Sequence, residues 1–198
     1  VSGDFYWCSI QHDKIIFVVA DCTGHGVPGA FMSMIGNTLL NEIVNERKVT
    51  DTKKIAELLD EKIIYALHQH EGSQKYDGMD ISICCIDRLN KQISFTGAHH
   101  FMYASTGSIQ KIKGDPYSIG GAQQQNVKTF TSQTLTYEKG LSLYFLTDGY
   151  CDQAGGDANK RFSSKKFEIL LNEIQHLSMY DQKEKLEHAF EQWKGSIK

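Results

Sequence analysis

The first periodic stretch of the chain reads as a β-hairpin. Residues 4–11 form an apolar-rich strand, His12-Asp13 turns the chain, and a second strand occupies 14–22. Its run Ile15-Ile16-Phe17-Val18-Val19-Ala20 is continuous and largely β-branched, as in a strand buried on both faces. The period then changes. Pro28 suits a first helical turn, and Phe31, Met34, Ile35, Leu39 and Ile43 recur at helical spacing, predicting a helix over 27–45. A second helix is predicted over 51–70, with Ile55, Leu58, Leu59, Ile63, Ala66 and Leu67 as its apolar stripe. Strand character returns at 80–87, 92–97, 101–105, 108–113, 127–135 and 141–147, punctuated by Arg88-Leu89-Asn90 and Glu138-Lys139-Gly140. Residues 114–125, with Pro116, Gly120 and Gly121, read as a surface loop. Two helices close the chain, one lined by Phe167, Leu170, Leu171 and Ile174, the other by Leu186, Ala189, Phe190 and Trp193.

This order is not a repeating βαβ unit. It predicts an α+β fold of antiparallel sheets with helices packed outside. A length of 198 residues suits a single domain with a real core. The formal net charge of -3 comes with no basic stripe, which argues against a nucleic-acid partner. The longest apolar runs are too short to span a bilayer. Of the five cysteines, none forms a C-x-x-C pair, and Cys84 and Cys85 are expected on opposite faces of a strand. That is a poor zinc site and a poor disulfide framework, so a reducing cytoplasm is the expected setting. The chain opens at Val1 and stops just after a helical pattern, so residues 1–198 are expected to be one catalytic domain of a longer polypeptide, which could itself be membrane-anchored.

Chemistry concentrates at four aspartates expected at strand ends beside glycines: Asp4 in Ser2-Gly3-Asp4-Phe5, Asp21 before Cys22-Thr23-Gly24-His25-Gly26, Asp148 in Thr147-Asp148-Gly149, and Asp152. A carboxylate ending a buried strand is held in place, and small neighbours let ligands approach. Converging carboxylates repel unless a cation neutralises them, and oxygen-only donors suit magnesium or manganese over zinc. Each motif alone reads more readily as a turn. Gly24-x-Gly26-x-x-Gly29 also has a superficial nucleotide-loop spacing, which leaves a magnesium-dependent nucleotide-binding domain as a further reading.

Taken together, the motifs resemble the bacterial type 2C metal-dependent protein serine/threonine phosphatases, in the stage II sporulation protein E-like, sigma-factor-regulating branch. The resemblance rests on Ser2-Gly3-Asp4-Phe5-Tyr6, on Val19 through Ala30 with its Asp-x-x-Gly-His-Gly core, on Asp77-Gly78-Met79-Asp80, on Thr96-Gly97-Ala98-His99, and on Phe145 through Gln153. It implies a four-layer sandwich of two antiparallel sheets flanked by helices. It implies two divalent cations, Mn2+ or Mg2+, with Asp21 bridging them, the Cys22 carbonyl as a further ligand, Asp4 on one metal and Asp148 on the other. Asp21 and Asp148 are the expected catalytic residues. The family's set includes one more aspartate, in an Asp-Asp-hydrophobic motif on a last strand, and no such strand precedes Lys198. His25, His99, His100 and Asp80 are read mainly as structural, and Asp152 as a supporting acceptor beside the metals. The implied activity is hydrolysis of phosphoserine or phosphothreonine on a regulatory protein, with an anti-anti-sigma-type substrate and an upstream sensor module by analogy. A homodimer is an open arrangement. A pseudophosphatase that keeps the fold as a binding or scaffolding domain is the competing reading. The two helices over 27–45 and 51–70 are expected to act as a switch on Asp21.

Overall fold

A computed structural model describes residues 2–69, 77–121, 128–156 and 159–195. The fold is α+β, as the pattern predicts, and it divides into two compact units. The first comprises Val1–Met102 and Ile112–Lys139, the second Tyr103–Lys111 and Gly140–Lys198.

In the first unit β1 (Phe5–Gln11) and β2 (Lys14–Cys22) form the predicted hairpin. Helix α1 (Gly26–Leu40) runs on into a π-helical turn at Asn41–Glu46, and α2 (Thr52–Ala66) follows. Then come β3 (Gly78–Asp87), β4 (Gln92–Ala98), the two-residue β7 (Ile119–Gly120) and β8 (Gln133–Thr136), while β5 (Phe101–Ser105) and β6 (Ile109–Lys113), which lie between β4 and β7 in the chain, fall largely in the second unit. The main sheet has the order β1-β2-β3-β4-β8, with β7 pairing β3. All of these pairs are antiparallel. Among the described residues no crossover joins parallel strands, so the glycine loop before α1 lacks the setting of a dinucleotide site.

The sheet has two distinct faces. Ile16, Val18, Ala20 and Cys22 of β2 join Met79, Ile81, Ile83 and Cys85 of β3 in one core with α1 and α2. Alternation then sends Asp21, Asp80 and Cys84 to the opposite face, so the adjacent cysteines diverge as expected.

The α1 stripe departs from expectation. Phe31 and Met34 are 60% and 64% exposed, and the buried positions are Gly29, Met32, Gly36 and Leu40. The reason is close approach: a Cβ on Gly36 would meet Met79 Cε and Phe5 Cζ at 2.9 Å. A hydropathy stripe does not count glycine, so the packed face was assigned to its neighbours. The helix predicted over 27–45 also changes winding. The π turn buries both Ile43 and Val44, and it lets Asn45 Oδ1 accept from Ser9 Oγ (2.5 Å) and Gln11 Nε2 (2.8 Å).

Asp51 caps α2 by accepting from the Lys54 N–H at 2.8 Å. Residue 70, at the predicted end of this helix, lies outside the described residues, as do 122–125 of the predicted loop and 127 of the predicted strand. That loop contains β7, which the sequence pattern missed because only two residues pair. It is tied to α2 by a largely buried cation. Lys128 Nζ reaches Asp60 Oδ1 (2.8 Å), the Ser118 carbonyl (2.9 Å) and the Gly120 carbonyl (2.6 Å), and Asp60 Oδ1 also accepts from the Gly120 N–H.

The second unit carries the sheet β6-β5-β9, with β9 at Ser142–Tyr144. It continues with α3 (Gly149–Asp152), the pair β10 (Ala154–Gly155) and β11 (Lys160–Arg161), α4 (Ser164–Ile174) and α5 (Met179–Lys194). Phe167, Leu171 and Ile174 bury the predicted face of α4. The α5 stripe is only half-buried, and Leu186 and Phe190 line an apolar groove of about 840 Å³ with Tyr144 and Leu146. No helix among the described residues is long and apolar enough to cross a membrane.

Removing one partner of a buried ion pair strands the other charge, at a cost of about 3–5 kcal/mol. Lys128→Met is therefore expected to lower urea stability by about that amount. The double variant Lys128→Met/Asp60→Leu should recover much of it. Urea melts of the two variants check this.

Candidate metal centre

Four of the relevant residues lie together at one end of the sheet. In the β2–β3 pair Asp21 stands directly opposite Asp80. The β1–β2 ladder ends at Phe5 against Ala20, and just before it Gly3 packs against Cys22, so Asp4 lies at the same end of the sheet as Asp21. The β3–β4 ladder ends at Ile81 against Ala98, and His99, just beyond it, reaches Asp80 with Nδ1 2.7 Å from Oδ2. Directly opposed residues share a face with Cβ atoms about 4.5–5.5 Å apart. The row Asp4–Asp21–Asp80–His99 thus crosses one end of the sheet, on the face away from α1 and α2.

Glycines make the Asp4–Asp21 end compact. A Cβ on Gly3 would lie 3.1 Å from the Cys22 carbonyl oxygen and 3.2 Å from the Gly29 Cα. One on Gly29 would lie 2.6 Å from the Gly24 carbonyl oxygen. Gly24 and Gly26 take positive φ values of 86° and 65°, open to glycine at little cost. The loop is pinned to β3, because the Thr23 N–H donates to the Gly78 carbonyl (3.0 Å) and the Gly78 N–H donates back to Thr23 Oγ1 (2.9 Å). Burial, and then the charges of Asp21 and Asp4, push the Cys22 thiol up from 9.0 to about 12. Asp21 adjoins Cys22 in the chain, and Gly3, packed on Cys22, brings the Asp4 carboxylate to the same end of the sheet. Their oxygens and the Cys22 carbonyl are the donor chemistry a hard divalent cation takes. The thiol itself is buried and held neutral, so it is no nucleophile.

Asp80 is already engaged. Its Oδ2 lies 2.7 Å from His99 Nδ1, and its Oδ1 accepts from Ser118 Oγ. His100 turns inward, with Nδ1 2.7 Å from Ser82 Oγ and its ring stacked on Phe101. His25 is the exposed N-cap residue of α1.

Asp148 belongs to the second unit, and its surroundings correct one expectation. Strand β9 ends at Tyr144, so Asp148 is not at a strand end; it caps the short helix α3. Tyr150 fixes that helix by donating to the Leu186 carbonyl (2.7 Å) and packing edge-on to Phe162 and Phe167. Asp152 pairs with Arg161 at 3.1 Å. The sequence shows no arginine beside the aspartate motifs, but the fold supplies one there. Among the described residues, no group of three or more His, Cys, Asp or Glu side chains is drawn close enough to hold a metal on its own.

The Asp80–His99 pair is the feature sequence reasoning missed, having read both residues as separate structural groups. Counting outward from the predicted strand ends, Asp87 against Gln92, through an antiparallel hairpin pairs 80 with 99, so the signal was present in the strand limits.

This fold is that of the bacterial type 2C phosphatases. The chain belongs to the stage II sporulation protein E (SpoIIE) family, whose profile matches residues 11–197. Among solved structures it is similar to the SiaA PP2C domain of Pseudomonas aeruginosa, with 29% identity and a TM-score of 0.87 over 99% of this chain and 76% of that one. It is also similar to the PP2C phosphatase domain, with a fragment of the regulatory domain, of SpoIIE from Bacillus subtilis (15% identity, TM-score 0.75, 99% and 54% covered). A third neighbour is RsbX, solved in complex with magnesium (18% identity, TM-score 0.66, 99% and 82% covered). No curated protein matches the sequence.

The raised thiols have a measurable consequence. Burial, and secondarily Cys85, likewise pushes the Cys84 thiol up to about 12. Both thiols favour the folded state while protonated, so their contribution is complete below the unfolded value of 9.0 and is lost as pH rises towards 12. The urea midpoint should fall across that window, and Cys84→Ala should flatten the fall. Near neutral pH, iodoacetamide should label the exposed Cys8 well before Cys22 or Cys84, as read by mass spectrometry.

Proposed function

We propose that this domain hydrolyses phosphoserine or phosphothreonine on a regulatory protein, using two divalent cations, manganese or magnesium. The observation that carries the reading is the packing of Gly3 against Cys22, which gathers Asp4, Asp21 and the Cys22 carbonyl at one end of the sheet, in a chain of the SpoIIE family. Asp21 is assigned the bridging position, Asp4 and the Cys22 carbonyl one cation, and Asp148 the other. When bound, such cations lower the pKa of a water and neutralise phosphoryl oxygens during in-line displacement. The chain's own part is to hold the carboxylates still. Strand β2 fixes Asp21, the Gly3–Gly29 contact brings Asp4 beside it, and Tyr150 anchors the helix that starts at Asp148.

The substrate is read as an anti-anti-sigma-type phosphoprotein in the cytoplasm, and control as coming from a sensor module in the same polypeptide or from a second copy. Supporting this, α1 leaves Val27, Phe31 and Met34 exposed along one stripe, beginning a few residues after Asp21. A pseudophosphatase reading has one observation in its favour: no three metal-binding side chains cluster among the described residues. Turnover separates the two.

Asp21→Asn in the full-length protein is expected to abolish Mn2+-dependent release of phosphate from a phosphoserine peptide while leaving the thermal melt unchanged. Calorimetry should show weakened Mn2+ binding in Asp21→Asn and Asp4→Asn. Near wild-type turnover in Asp21→Asn would refute the assignment, and a folded wild type that binds Mn2+ without turnover would establish the pseudophosphatase.

A further inference from the structure

We propose that His99 is the proton donor to the leaving-group oxygen in this hydrolysis and that Asp80 is its positioning residue; the inference rests on the phosphatase reading above. His99 completes the row that begins at Asp4 and Asp21, standing next to Asp80, which itself stands opposite Asp21. Its backbone is held in a left-handed conformation, φ 49°, uncommon for a residue with a side chain. The surroundings enforce it. The His99 N–H donates to the Asp115 carbonyl (2.8 Å), the Asp115 N–H to the Gly97 carbonyl (2.9 Å), and the Gly114 N–H to the His100 carbonyl (2.9 Å). The Asp115 carboxylate in turn accepts from the Thr131 N–H at 2.7 Å. Gly97 and Gly114 permit this contact, since a Cβ on Gly114 would overlap the Gly97 backbone at 2.2 Å.

The ring is oriented as firmly as the backbone. Nδ1 faces Asp80 Oδ2 at 2.7 Å, and Ser118 Oγ holds the other carboxylate oxygen. A carboxylate on Nδ1 keeps a proton there, so Nε2 is the nitrogen that gains and loses one. The His99 side chain is 61% exposed, so Nε2 has access to substrate and to solvent. A serine alkoxide is a poor leaving group, and a donor at this point removes that barrier. Water oxygen forms a bond to phosphorus, and the bond from phosphorus to the serine oxygen breaks with its electron pair on that oxygen. The Nε2 proton of the imidazolium passes to it. The proton lost by the attacking water restores the ring through solvent.

The test uses the full-length protein with Mn2+ and two esters, a phosphoserine peptide and p-nitrophenyl phosphate, whose leaving group needs no proton. The variant is His99→Asn, since asparagine tolerates the left-handed backbone. His99→Asn is expected to slow the peptide on the order of 100-fold and to leave the aryl ester at the wild-type rate. Asp80→Asn should show the same selectivity to a smaller degree. Equal slowing of both esters, or of neither, overturns the inference while the phosphatase reading stands; a wild type inert toward both overturns that reading and the proton donor with it. Nitrogen-15 NMR of the metal-free protein gives an independent arm. Neutral His99 should carry its proton on Nδ1 in the wild type and on Nε2 in Asp80→Asn, and an Nε2–H form in the wild type overturns the role given to Asp80.

Discussion

The structure turns on the β2–β3 register, which sets two carboxylates, Asp21 and Asp80, directly against each other. Like charges so placed destabilise a sheet, and the chain deals with the two differently. Asp80 is hydrogen-bonded on both oxygens, to His99 on one and to Ser118 on the other. Asp21 has a second carboxylate, Asp4, brought up beside it by a contact between glycines. A cation at that end of the row would relieve the repulsion that the backbone has built in. The Cys22 thiol, buried on the core face, stays protonated and adds no further negative charge.

That arrangement depends on elements that carry no chemistry. The helices α1 and α2 cover one face of the sheet and leave the other to the polar row. Thr23 locks the glycine loop to the start of β3, and Lys128 locks the loop carrying Ser118 to α2. Because Ser118 touches Asp80, the packing of α2 and the orientation of the His99 ring are joined through a short chain of polar contacts. In the second unit the aromatic cluster around Tyr150 does similar work for the helix that begins at Asp148.

Much of this was legible beforehand, for identifiable reasons. Strands β2 and β5 match their predicted limits because long apolar runs end abruptly at polar residues. The family and the aspartates were legible because glycine-flanked carboxylates leave a pattern in one dimension. The packed face of α1 was not, since it is built on Gly29 and Gly36, which hydropathy overlooks. Strand β7 and the ion pair of Asp60 with Lys128 are long-range, and neither flanking sequence hints at its partner. Asp148 was placed at a strand end because Phe145-Leu146-Thr147 looks like strand, but the ladder stops at Tyr144. The Asp80–His99 pair was hidden because its residues were weighed one at a time, although the hairpin register joins them.

The row across the sheet also has a consequence for how the protein acquires its activity. Its members come from four separate strand ends, and the loop that follows Asp21 is pinned to β3 by a hydrogen bond spanning 55 residues of chain. Contacts of such separation form late, after the entropy of closing long loops has been overcome. A partly folded or partly synthesised chain therefore has the motifs without the site. On a ribosome, the row cannot close until β4 and His99 have emerged, so competence arrives together with the finished sheet rather than with any one of its motifs.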